Sequence, residues 1–124
     1  MGYRSNVKVL MSPKAFELLK ENCLKSDIDY VKKMVDERYI QEKDDERVIM
    51  FWDDCKWYSN YEDVKAVEGT LTQLNELIEK DESLLADYFY KKIEIGEDGR
   101  IDESSNDEDD EFTSELYPLS GFSI

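Results

Sequence analysis

The sequence predicts an α+β fold: a two-layer sandwich with a small, mainly antiparallel sheet and two main helices on one face. Three observations carry this. A strand pattern at residues 7–11 runs straight into a helix pattern at 12–25. A run of β-branched and aromatic residues, Val48-Ile49-Met50-Phe51-Trp52, reads as a central strand. An unbroken apolar stripe then marks a second long helix.

In the first strand Val7, Val9 and Met11 alternate with Lys8 and Leu10, giving one firmly apolar face. Ser12-Pro13 is a good pair for a helix start, a capping hydroxyl followed by a residue with its φ already set. Ala15, Phe16, Leu19 and Cys23 then share one side of a helix. Ser26-Asp27 could cap a shorter helix carrying Ile28, Val31, Met34 and Val35, although residues 35–40 also read as a strand. Residues 41–46 are polar and charged, the composition of a turn.

After the central strand, residues 53–58 form a loop of mixed character. Ser59 and Glu62 have the spacing of a capping box. Val64, Val67, Leu71, Leu74 and Ile78 step by three and four along the second helix. A strand follows at 89–95, then a turn at 97–100. The order is nearest to the ferredoxin-like, split βαβ plait. The expected organisation is a compact domain over residues 1–103, an acidic loop or linker at 104–111, and an apolar segment at 112–124 docked on the domain.

Charge is the strongest functional signal. The chain of 124 residues has 31 carboxylates against 16 cations, a net charge of −15. Residues 94–115 hold eleven of those carboxylates and one cation, Arg100. A field of that sign attracts basic surfaces and repels nucleic acid and anionic lipid. The expected partner is therefore a basic protein, with no direct nucleic-acid or membrane contact. No stretch approaches the ~18 apolar residues of a membrane span, and the first ten residues lack a signal-type run.

Candidate partner-binding residues are Asp102, Glu103, Asp107, Glu108, Asp109, Asp110 and Glu111, with Trp57 and Tyr58 as apolar anchors. DNA presents one charge per ~1.7 Å of duplex axis, so a surface adapted to that density also accepts a dense carboxylate array. The same block reads equally as a solubilising tail. Trp57 likewise reads as a near-core aromatic beside Trp52.

Catalytic chemistry finds little footing. There is no histidine, the commonest general base and metal ligand. Cys23 and Cys55 lack zinc or redox spacing and are expected to be reduced. Asp53 and Asp54 could serve as an acid and a base, but adjacent residues in extended chain point apart. Asp107, Asp109 and Glu111 alternate as calcium-loop ligands do, yet Phe112 and Pro118 stand where such a loop needs Gly and Glu. No catalytic residue, metal site or cofactor is assigned.

Several segments together resemble small acidic proteins of bacteriophages and prophages: Val7 to Met11 running into Ser12-Pro13-Lys14-Ala15-Phe16; Phe51-Trp52-Asp53-Asp54-Cys55-Lys56-Trp57-Tyr58; Glu62-Asp63-Val64-Lys65; and Ile95-Gly96-Glu97-Asp98. The resemblance covers most of residues 5–103. In general character the chain is also similar to phage counter-defence proteins, including anti-CRISPR and anti-restriction DNA mimics. What the resemblance implies is a non-enzymatic inhibitor of a basic, nucleic-acid-binding bacterial protein, working in the cytoplasm of an infected host. The alternatives are an immunity-type inhibitor of a basic toxin and a phage structural or assembly protein, the latter marked by self-association.

Overall fold

The computed structural model describes residues 4–106. The chain runs β1 (Ser5–Met11), α1 (Pro13–Leu24), a short α2 (Asp29–Lys32), β2 (Ile40–Lys43), β3 (Val48–Cys55), α3 (Glu62–Lys80), β4 (Tyr90–Gly96) and β5 (Ile101–Ser105). Single 3₁₀ turns at Lys33–Val35, Glu37–Tyr39 and Glu82–Leu84 link these elements. The five strands form one sheet in the order β2-β3-β1-β4-β5, and every neighbouring pair is antiparallel. The two-layer α+β architecture expected from the sequence is the one observed, with α1 and α3 packed together over one face.

β1 lies at the centre because its apolar face is the most complete. Val7, Val9 and Met11 point under the helices and are essentially fully buried. Cross-strand register puts Val48, Met50 and Trp52 of β3 and Tyr90 of β4 on the same face. α1 begins as the sequence requires: the Ser12 hydroxyl oxygen accepts from the Ala15 amide at 3.1 Å, and Pro13 occupies the first turn. Its buried side is Ala15, Phe16, Leu19 and Cys23, while α3 contributes Val64, Val67, Leu71 and Leu74. Ile78, the last residue of the α3 stripe, is only half-buried.

The structure corrects several local expectations. Residues 41–43, expected in a turn, belong to β2, and the turn lies at 44–47. There the Asp44 carboxylate accepts from the Glu46 and Arg47 amides at 2.8 and 2.9 Å. Tertiary pairing with β3 selects the strand where local composition favours a loop. The Ser59–Glu62 capping box does not form. α3 starts at Glu62 with Tyr61 in extended conformation before it, and no side chain caps the helix. Acidic Glu62 and Asp63 in the first turn complement the helix dipole instead.

The sheet also continues past the expected boundary. After a turn with Gly99 at φ +86°, residues 101–105 pair with β4, so Ser104 and Ser105 belong to a strand and not to a linker. Residues 107–111 and the apolar segment 112–124 lie outside the described residues. Among the described residues, no helix is long and apolar enough to cross a membrane.

A second apolar cluster occupies the opposite face of the sheet. It contains Leu10, Ile49, Ile93 and Ile95, with Phe89 packed at its margin, and no helix residue belongs to it. Lys8 lies in the same face and is fully buried, its ammonium 4.8 Å from the Phe51 ring centroid.

Candidate partner-binding concavity

Where β3 ends, its last residues are held by the margin of β1. The Asn6 side chain accepts from the Asp54 amide at 2.8 Å, and the Arg4 guanidinium donates to the Asp54 carbonyl at 2.8 Å. Asp54 takes a left-handed conformation, φ 48°, one that aspartate tolerates better than most residues. The chain is thereby redirected so that Trp57 folds back onto Trp52, ring centroids 5.5 Å apart. The Trp57 indole N–H donates to Glu68 of α3 at 3.2 Å, and the Lys92 ammonium lies 5.7 Å from its ring. Tyr58 meets Tyr61 edge-to-face at 5.2 Å.

These aromatics form one wall of an open concavity of about 700 Å³. Its other wall is built by α3, β4 and β5 through Glu68, Lys92, Glu94 and Asp102. Lys92, almost fully buried, pairs with Glu68 and reaches Glu94 at 3.7 Å. Burial pushes the Glu94 carboxyl above its usual range. Lys92 pulls it back down, and the neighbouring Asp102 and Glu68 push it further up. Arg100 sits over Asp102 at 3.8 Å, an exposed pair of little energetic weight.

Three of the residues expected to bind a partner, Trp57, Tyr58 and Asp102, therefore line one concavity. Glu103 does not join them. It is the next residue of β5 and pairs in register with Ile93, so it points to the other face of the sheet. Asp107, Glu108, Asp109, Asp110 and Glu111 fall outside the described residues. Sequence reasoning missed Glu68, Lys92 and Glu94. Glu68 reads as ordinary helix surface and the other two as strand alternation; only the packing of α3 on β4 joins them.

Trp57 is shared with a second hollow of about 410 Å³, lined by Tyr30, Tyr39, Trp52 and Tyr61 among others. Tyr30 is half-exposed there. Asp53 and Asp54 at its rim are both exposed. Cys55 lies beside them, its thiol donating to the Ser5 carbonyl at 3.3 Å. Burial pushes that thiol up to about 12, and Cys23, buried under α3, is pushed up to about 11. Both cysteines are free and protonated at neutral pH, the opposite of an activated nucleophile. Among the described residues, no cluster of three or more Cys, Asp or Glu side chains could hold a metal ion.

Comparison of the chain with protein-family models, curated proteins and solved structures finds no match in any of the three.

Proposed function

We propose that this protein is a non-enzymatic inhibitor that occupies the basic, nucleic-acid-binding surface of a bacterial protein, such as a CRISPR or restriction effector, by presenting carboxylates in place of phosphates. A phage-encoded protein acting in the host cytoplasm fits this reading. The observation that carries it is the meeting of Trp57, Tyr58 and Asp102 with Glu68 and Glu94 in one open concavity. Aromatic anchors beside a carboxylate array offer what a basic nucleic-acid site binds: flat rings to stack and negative charge to pair.

The experiment is capture from bacterial lysate on the immobilised full chain, with elution by salt and, separately, by duplex DNA. The expected result is retention of nucleic-acid-binding proteins at ~50 mM salt, release before ~300 mM, and release by DNA, because each phosphate-like contact adds to the salt slope. Replacing the carboxylates at 102, 103 and 107–111 by amides abolishes capture. Retention that survives high salt and the amide replacements overturns the reading, and an apolar interface through the aromatic hollow takes its place.

A further inference from the structure

We propose that the smaller hollow beside Trp57 receives an exposed, uncharged aromatic side chain, tyrosine or tryptophan, of a protein partner. The assignment holds whether or not that partner binds nucleic acid. It rests first on the walls. Four segments of the chain bring five aromatic residues to one hollow of about 410 Å³: Tyr30 from α2, Tyr39 from the 3₁₀ turn before β2, Trp52 from β3, and Trp57 and Tyr61 from the loop that leads into α3. Its size falls within the ~300–1,000 Å³ of ligand pockets. Among the described residues four large apolar side chains are exposed, and two of them, Tyr30 at 51% and Tyr61 at 37%, stand together here. Single exposed rings are ordinary on a surface; rings gathered around one hollow mark a contact site.

The walls are set before an occupant arrives. Trp52 is 2% exposed and its indole N–H donates to the Met34 carbonyl at 3.0 Å, and Trp57 rests on it. The Tyr61 amide donates to the Tyr58 carbonyl at 3.0 Å, and the two rings meet edge-to-face. The Tyr39 amide donates to the Asp36 carbonyl at 3.0 Å. Side chains already held in place lose little further freedom on binding.

Charge selects the occupant. Arg4, Lys33 and Lys56 line the hollow together with Asp53, Asp54 and Asp63, equal numbers of each sign, and Arg4 already engages Asp54. The attraction of the rings for a cation is met from elsewhere in the chain. The Arg38 guanidinium lies 5.0 Å from the Tyr39 centroid and the Lys92 ammonium 5.7 Å from that of Trp57, and neither cation lines the hollow. An ion therefore finds no net field here, while a neutral ring gains offset or edge-to-face contacts with several others. The exposed walls at Tyr30 and Tyr61 leave one side open, so a ring can enter while the chain that bears it stays outside. An aromatic anchor seated in such a pocket carries a large share of an interface's energy.

The test uses the full chain and capped pentapeptides Gly-Gly-X-Gly-Gly with tyrosine, leucine or arginine as X. The chain has two tryptophans and both line the hollow, so tryptophan emission reports on this site. A saturable change is expected with the tyrosine peptide, at an affinity about tenfold above that of the leucine and arginine peptides. Tyr30→Ala is expected to weaken the tyrosine peptide at least fivefold, and Leu24→Ser, exposed outside the hollow, to leave it unchanged. In the unaltered chain, nuclear Overhauser contacts join the peptide ring to the Trp57 indole, and their absence overturns the assignment whether or not the variants fold. No saturable change, equal affinity for leucine, or full affinity in a folded Tyr30→Ala variant overturns it as well. Tighter binding of the arginine peptide overturns it in favour of a cation. Tighter binding of p-cresol than of the tyrosine peptide overturns it in favour of a free small molecule. An emission change that follows protein concentration alone, with a dimer in sedimentation, overturns it in favour of a second copy.

Discussion

Asp102 of β5 stands directly opposite Glu94 of β4, carboxylate beside carboxylate across an antiparallel pair. Like charges so placed repel, typically by a few tenths of a kcal/mol up to about 1. Asp102→Asn is therefore expected to raise stability by about 0.5 kcal/mol in urea unfolding at low salt. Stability unchanged or lowered would mean that Arg100 already neutralises the pair.

Glu94 sets a pH dependence. Its carboxyl titrates above the unfolded value, chiefly through burial, so the folded state holds its proton longer than the unfolded state does. Its contribution is fully present below the unfolded value and is lost as pH rises through the folded one. The stability of the wild type relative to Glu94→Gln should therefore fall as pH rises from about 4.5 toward neutrality. Urea midpoints across that range check it. A difference that grows with pH would make the Lys92 pairing dominant over burial.

Trp57 is both wall and support. Trp57→Ala removes the ring stacked on Trp52 and the donor to Glu68, with an expected loss of about 2 kcal/mol, less than a fully buried Trp because this one is only partly buried. Trp57→Phe keeps most of the stacking and should recover more than half of the loss. Equal losses in the two variants would place the stability in the indole hydrogen bond.

The two thiols report on the integrity of the fold. With both held protonated well above neutral pH, iodoacetamide at pH 8 should leave Cys23 and Cys55 unmodified in the native protein and label both in urea. Rapid native labelling of Cys55 alone would reveal local opening of the β3 margin.

Leu74 has no exposed surface and sits at the centre of the α3 stripe. Leu74→Ala is expected to cost about 2–5 kcal/mol. A loss below about 1 kcal/mol in thermal or urea unfolding would indicate a core that collapses around the gap.

The layers were legible in the sequence because burial imprints itself as periodicity. β1, β3, α1 and α3 all declare themselves by the spacing of Val, Leu, Ile and Met. The two edge strands did not. β2 reads Ile-Gln-Glu-Lys and β5 reads Ile-Asp-Glu-Ser-Ser, and an edge strand with few buried positions needs no apolar alternation. Their strand state comes from the backbone of a neighbour, which no local pattern encodes. The candidate concavity was half legible. Trp57, Tyr58 and Asp102 were named from type alone, while Glu68, Lys92 and Glu94 emerge only when α3 lies across β4. Lys8 was read as the polar partner of an apolar face, yet it is buried.

The outer border of β5 has a bearing on how copies of the chain coexist at high concentration. In the sheet order β5 is the terminal strand, the kind of edge on which a foreign strand can grow. Asp102 and Glu103 project from its two sides, and a second β5 laid alongside would align acid with acid on both surfaces at once. Fibre growth from this rim is discouraged by self-avoidance written into two consecutive side chains.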